Sequence, residues 1–239
     1  KKLLSELKIE IPCLSTGCCL KFADRREENY RELIQYINVA KNVGAKYIRI
    51  LADLEPAPDG EVDDALIADE LAEIIPYAEE NGVTLLIETN GVYSDTERLR
   101  NLLNSIQSDA VAALWDVHHT YRFAGEKPEK TLQNLGAYIK HVHLKDSVME
   151  NGKPVYKMTG EGDIPIAETI DALKSINYEG YLSLEWVKRW APDLSDAGIV
   201  FPQFINYIQS FFVNGFGSGR LIDNLRGTGK YVWEKNTLI

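Results

Sequence analysis

The sequence predicts an α/β fold built on a parallel sheet, and three observations predict it. Six short segments rich in strand formers each precede a segment with apolar residues at helical spacing. Several of the helical segments stop at a glycine just before the next strand, as in NVGAKYIRI and ENGVTLLIE, which fits the left-handed turn that glycine permits at a helix end. Carboxylates and all four histidines gather at the carboxyl ends of strand segments, the end where parallel α/β proteins build their sites.

The elements follow in order. Segment IEIPCLS, within residues 8–15, leads to a helix over 26–44; YIRIL at 47–51 leads to a helix over 65–81. TLLIE at 84–88 precedes a helix over 95–106, and ALWDV at 113–117 precedes one over 128–139. HVHL at 141–144 is followed by a helix over 166–176, and YLSLE at 181–185 by one over 201–212. Strict alternation implies right-handed crossovers between parallel strands, a pattern that a closed barrel and an open doubly wound sheet both satisfy. No GxGxxG follows a strand, and GFGSGR near the C-terminus follows a helix, so a dinucleotide-binding version has no support. Six units fall short of the eight that close a TIM barrel. KKLLSELK reads as the last turns of a helix already under way, so the expectation is a fold entered partway, with the first strand, its helix and the second strand missing.

Bulk properties exclude more than they identify. The chain has 239 residues, 45% of them hydrophobic, enough for the core of one globular α/β barrel. A net charge of −10 and a pI near 5.0 disfavour nucleic acid, whose binding needs a basic surface. Cys13, Cys18 and Cys19 are odd in number and lack CxxC spacing, so they read as reduced thiols. No apolar run approaches the roughly 20 residues of a membrane span, and KKLLSELKIEI is too charged for a signal peptide. The expected compartment is the cytoplasm.

The chemistry concentrates in DVHH, from Asp116 to His119, and HVHLKD, from His141 to Asp146. Side chains alternate along a strand, so parity groups Leu86 with Glu88, Leu114 with Asp116, His141 with His143 and Ser183 with Glu185. The last member of each pair lies at the carboxyl end. Three carboxylates and an imidazole on one rim would repel and take up protons if left bare, and a divalent cation resolves that conflict. Oxygen and nitrogen donors without thiolate suit Mn²⁺, Mg²⁺, Co²⁺ or Zn²⁺.

These residues carry a family resemblance. LLIETN with Glu88, ALWDVHHT with Asp116 and His119, HVHLKD with His143, GEGDIPI from Gly160, and GYLSLEW with Glu185 resemble the xylose isomerase-like TIM barrels of the sugar phosphate isomerase/epimerase group. That group includes ketose 3-epimerases, inosose dehydratases and, more remotely, endonuclease IV. The resemblance implies a TIM (β/α)8-type barrel over residues 1–213, with only about six of its strand-helix units present, and a C-terminal extension or linker over 214–239. It implies one metal held by Glu88, Asp116, His143 and Glu185, with Glu88 and Glu185 as acid and base. The implied reaction removes a proton next to a carbonyl of a small sugar, sugar phosphate or cyclitol. Reprotonating the enediolate gives isomerisation or epimerisation, whereas expelling a neighbouring hydroxyl gives dehydration of the inosose or 3-dehydroshikimate type. His119 is implied as a substrate contact; the expected partner is the small-molecule substrate, with room for a homo-oligomer and a further domain.

Plainer readings stand beside these. Glu88 could be a strand-end carboxylate paired with Lys or Arg, and Asp116 a helix cap. His141, one layer deeper, reads as a hydrogen-bonded residue behind the ligands. Lys145 shares the parity of His143 and is a candidate for a substrate oxygen. Trp186 is taken as a substrate-side residue that, with Trp190, shields the pocket; Arg49, inside an apolar strand, needs a buried partner. Lys188 and Arg189 read as solvated surface. A repair endonuclease would use an Asp and a His just before the GxG loop, where this chain has Pro154 and Tyr156. A non-catalytic barrel fused to another domain is the remaining alternative.

Overall fold

A computed structural model describes residues 2–213. The C-terminal extension expected over 214–239, GFGSGR included, lies outside the described residues. After a short helix α1 (Lys2–Leu7), the chain alternates β1 (Cys13–Cys19), α2 (Arg26–Val43), β2 (Tyr47–Leu51), α3 (Asp64–Glu80), β3 (Thr84–Glu88) and α4 (Thr96–Ile106). Then come β4 (Val111–Asp116), α5 (Val117–Ala124), α6 (Pro128–Leu135), β5 (Ile139–Leu144), β6 (Asp146–Glu150), β7 (Lys153–Lys157), α7 (Ile166–Ser175), β8 (Tyr181–Leu184) and α8 (Ala197–Val213).

Six strands form one parallel sheet in the order β1-β2-β3-β4-β5-β8, a half-barrel with helices outside, as the alternation predicts. The two faces of each strand separate the core into two clusters. Ile48, Ile50, Leu85, Ile87, Ala113, Trp115, Val142 and Leu144 face the helices, where they meet Leu33, Ile37, Leu71, Ile74, Leu99 and Leu103. The intervening positions face inward: Cys13, Leu86, Ala112 and Leu114, with Tyr47 against them, make a small interior cluster. Interior packing stays small because the next layer along the same strands is polar.

Local chemistry explains the element ends. Asp63 and Asp95 cap α3 and α4 by accepting two backbone N–H bonds each. Gly44 follows α2 in a left-handed conformation, the role assigned to it from NVGAKYIRI. The first strand starts at Cys13, four residues beyond the start of IEIPCLS, because Pro12 has no N–H to donate to the ladder. Val117 leaves β4 and begins α5, since Asp116 ends the strand and caps the helix.

Three elements escaped the sequence pattern, α5 and the two strands of a hairpin. The hairpin β6–β7 is antiparallel, and its turn, Asn151-Gly152, has positive φ at both residues, 52° and 76°. Asn-Gly between alternating residues is the hairpin signal that pattern contained. Among the described residues, no helix is long and apolar enough to cross a membrane. The three cysteines are buried; burial, followed by the neighbouring Glu32, pushes the Cys18 thiol up to about 12, which makes it a poor nucleophile.

Leu114 is fully buried within the interior cluster. Truncation to alanine should lower the unfolding free energy by about 3 kcal/mol, as read from urea denaturation; a loss below about 1 kcal/mol would mean that the interior layer contributes little.

Candidate metal centre

Four adjacent strands carry the candidate ligands to one place. Glu88 ends β3, Asp116 ends β4, His143 lies in the last turn of β5 pairing, and Glu185 follows β8 directly. The Glu185 N–H donates to Leu144 O at 2.9 Å, so the ladder continues through the ligand position. A register irregularity after Ala113 sets Leu114 beside His141 and Asp116 beside His143. This irregularity decides the level at which each side chain sits, whereas strand alternation decides only the face. Thr89 ties the ends of β3 and β4 together, its hydroxyl accepting from Asp116 N at 2.8 Å and donating to Asp116 O at 3.2 Å. Glu88, Asp116, His143 and Glu185 each offer an atom within 4.8 Å of the others. Glu185 alone of the four is open to solvent, with its side chain 17% exposed against 3% for Glu88 and 0% for Asp116.

Two protein cations enter the same cluster. Arg49 Nε lies 3.2 Å from Glu88 Oε2, which supplies the buried partner that an arginine within β2 requires. Lys145, 4% exposed, donates to Asp116 Oδ2 at 2.5 Å, to Glu185 Oε2, and to His119 Nε2 at 2.9 Å. The expectation that the carboxylates would be left bare without a metal therefore needs correction: two of three negative charges have a protein counter-charge. What still fits a divalent cation is the donor set itself, three carboxylates and an imidazole at coordination spacing with no thiolate among them.

The protonation pattern follows from these contacts. Burial works to raise Glu88, but Arg49 and His143 overcome it and hold the carboxyl down to about 2. Burial likewise opposes ionisation of Glu185, and Lys145 with His143 and His119 keeps it well below the usual range. Burial, reinforced by Glu185 and Glu88 and opposed by Lys145, pushes Asp116 up to about 8. Their charges act on one another, so that the two glutamates are held down and Asp116 is held up. Desolvation and Lys145 drive His118 and His119 down to about 2 and 3, so both are neutral.

The other singled-out residues fall into distinct places. His119 lies beside Asp116, whose Oδ1 accepts the His119 backbone N–H at 3.2 Å; Asp116 is both helix cap and cluster member. His141 sits one layer deeper, with Nε2 2.8 Å from Ser183 Oγ. His118 Nε2 is 3.0 Å from Ser147 Oγ, and Asp116, His118 and His119 form a second convergent trio. The Trp186 indole donates to Ser195 O at 2.9 Å, and its ring packs on the helix-facing cluster. Trp190 is 68% exposed. Lys188 bonds within its own loop, to Pro192 O and Leu194 O.

Sequence reasoning missed the central position of Lys145 and the role of Asp146. Asp146 is buried, and its carboxylate accepts from the backbone N–H of Ser147, Gly160, Gly162 and Ile164. The GEGD loop is therefore latched to the residue that follows Lys145. A Cβ on Gly162 would collide with Asp146 and with Ser147 O, so the second glycine of GEG is required by the latch. The aspartate that closes HLKD and the paired glycines of GEGD were the available signal.

Comparison with known proteins agrees with this fold. A family model described as xylose isomerase-like TIM barrel matches residues 1–201. The chain belongs to that family. An uncharacterized protein of Methanocaldococcus jannaschii is 34% identical over 123 residues, 48% of this chain and 41% of that protein. The inosose dehydratase of Clostridium perfringens is 27% identical over 189 residues, 66% of this chain and 63% of the dehydratase. The chain thus spans less than two thirds of the length of either relative. Among solved structures, an L-ribulose 3-epimerase superposes with a TM-score of 0.73 at 17% identity, covering 88% of this chain and 77% of the epimerase. The IOLI protein, solved with a bound zinc atom, gives 0.71 at 19% identity, covering 89% of this chain and 82% of its own. At such identities the likeness is one of fold.

Replacing Asp146 with alanine leaves four backbone donors without their acceptor. Stability should fall by about 3 kcal/mol, and amide exchange at Gly160, Gly162 and Ile164 should accelerate more than in β3 or β4. Equal acceleration everywhere would show that no local latch exists.

Proposed function

We propose that this chain carries the active centre of a divalent-metal-dependent isomerase or epimerase acting on a small sugar, sugar phosphate or cyclitol. The observation that carries the reading is the convergence of two ionised glutamates, Glu88 and Glu185, with Asp116 and His143 at the carboxyl ends of four neighbouring strands. Glu88, Asp116, His143 and Glu185 would hold the cation, whose identity among Mn²⁺, Mg²⁺, Co²⁺ and Zn²⁺ is open. When bound, it would polarise a substrate carbonyl and the adjacent hydroxyl.

The protein's own residues perform the rest of the step. Glu185, the solvent-facing member, takes the proton from the carbon next to the carbonyl, and Glu88, reached from the other side of the quartet, serves as the second acid/base group. Both begin as carboxylates, since Arg49 and Lys145 hold them ionised. His119, neutral, and Lys145, cationic, hold substrate oxygens and favour the negative charge that develops there. Trp186, bonded to Ser195 and packed on the helix-facing cluster, lies away from the substrate side expected for it. Return of the proton from Glu185 to the neighbouring carbon, with that carbon's hydroxyl proton passing to the former carbonyl oxygen, would complete isomerisation; epimerisation would need delivery to the opposite face of the same carbon by Glu88, after a proton has reached it from Glu185 or solvent.

Dehydration is the second reading, favoured by the sequence relatives named inosose dehydratase. It uses the same proton removal and differs in the loss of a neighbouring hydroxyl.

Incubation in D₂O with a panel of ketoses, inososes and 3-dehydroshikimate separates the fates by mass spectrometry: deuterium at the carbon next to the carbonyl for both, loss of water for the lyase. Glu185→Gln should lower turnover by about a hundredfold or more with an unchanged thermal melt; wild-type turnover would remove Glu185 from the acid/base role. Chelation should abolish turnover, and one divalent equivalent should restore it. Activity that survives exhaustive chelation would sink the metal reading, and a protein that neither binds a divalent ion nor exchanges deuterium would be a non-catalytic barrel.

A further inference from the structure

We propose that Lys145 competes with the cation for the carboxylates of this centre, so that the site accepts a divalent ion only as the ammonium moves aside. The inference rests on reading the cluster as a metal centre and adds how its affinity is set.

The acceptor inventory leads to it. Glu88 Oε1 lies 3.1 Å from His143 Nδ1, and Glu88 Oε2 lies 3.2 Å from Arg49 Nε. Asp116 Oδ1 accepts the His119 N–H at 3.2 Å, while Asp116 Oδ2 accepts from Lys145 at 2.5 Å. Glu185 Oε2 accepts from Lys145 as well. Every oxygen of Glu88 and Asp116 therefore already faces a nitrogen of the protein. An ion entering the quartet must share those oxygens, with a full positive charge held on them.

Lys145 is no loose rim side chain. An ammonium has three donors, and all three are used, on Asp116, Glu185 and His119. The side chain is 4% exposed, so solvent screens its repulsion of a second cation only weakly. Arg49 pairs with Glu88, whereas Lys145 touches both Asp116 and Glu185. Of the two protein cations, Lys145 is the one whose position overlaps the place between Asp116 and Glu185.

Linkage makes the consequence reciprocal. The free energy that Asp116 and Glu185 give to Lys145 is withheld from a divalent ion, and a ligand that takes over the ammonium returns it. A substrate with an electron-rich or anionic oxygen at Lys145 therefore tightens the ion, and ion and substrate load together.

The test is Mn²⁺ binding to the full chain, followed by calorimetry and by the free-ion paramagnetic resonance signal. Three proteins are compared: wild type, Lys145→Met and Lys145→Arg. The methionine variant, similar in length and uncharged, should bind Mn²⁺ about tenfold tighter or more. The arginine variant keeps the charge and should stay within about threefold of wild type, or weaker. Thermal melts verify folding, and Lys145→Gln replaces the methionine variant if that protein does not fold. Equal or weaker binding in the uncharged variant, with wild type still binding, overturns the competition and makes Lys145 a builder of the site. Equal tightening in the arginine variant also overturns it, because the effect would then not come from charge. If neither wild type nor any variant binds Mn²⁺ at millimolar concentration, the metal reading itself fails, and this inference with it.

Discussion

Three carboxylates at the ends of neighbouring parallel strands impose the constraint around which the centre is arranged. Removing such groups from water costs several kcal/mol each unless they are paired, and Glu88 and Asp116 are almost completely buried. Lys145 and Arg49 meet that cost from within the protein, one between Asp116 and Glu185 and one against Glu88. Because the Asp116 Oδ1 atom also caps α5, the start of that helix, the end of β4 and the charge balance are one unit. Disturbing any one of the three is felt by the others.

The same constraint shapes the scaffold nearby. Inward positions on β3 and β4 are apolar in the deeper layer, at Leu86, Ala112 and Leu114, and ionisable at the strand ends. Lys145 can sit among the carboxylates because the chain turns immediately afterwards, at Asp146, which spends its own charge on the GEGD loop. The loop latch and the charge cluster are thus built from consecutive residues. That adjacency gives HLKD its physical meaning: a residue for the ligand set, one apolar anchor facing the helices, a counter-cation and a latch.

Ionised glutamates and a neutral His119 beside a buried ammonium make a centre suited to taking up and returning a proton while holding substrate oxygens. The arrangement serves reprotonation and loss of hydroxyl equally well. On the proposed reading, which of the two would follow depends on where the substrate places its leaving oxygen. Family membership fits this breadth, since the relatives include an inosose dehydratase and the fold neighbours an L-ribulose 3-epimerase.

Much of the fold was legible in the chain because alternation, helical spacing and glycine stops are local. The strands Tyr47–Leu51 and Thr84–Glu88 and the approximate extents of the helices follow from them. Strand parity likewise put Leu86 with Glu88, and Leu114 with Asp116, on the inward face. The hairpin at Asn151-Gly152 was equally local, yet its short strands look like loop beside the longer units. Other features depended on tertiary structure: that Arg49 meets Glu88, that Lys145 lies between Asp116 and Glu185, and that His143 stands level with Asp116. Each depends on the register between strands, including the irregularity after Ala113, and on contacts such as that of Glu88 with His143, 55 positions apart. Alternation along one strand carries no information about how far its neighbour has slid, so the face of each ligand was written in the sequence, and its partners were decided by the assembled sheet.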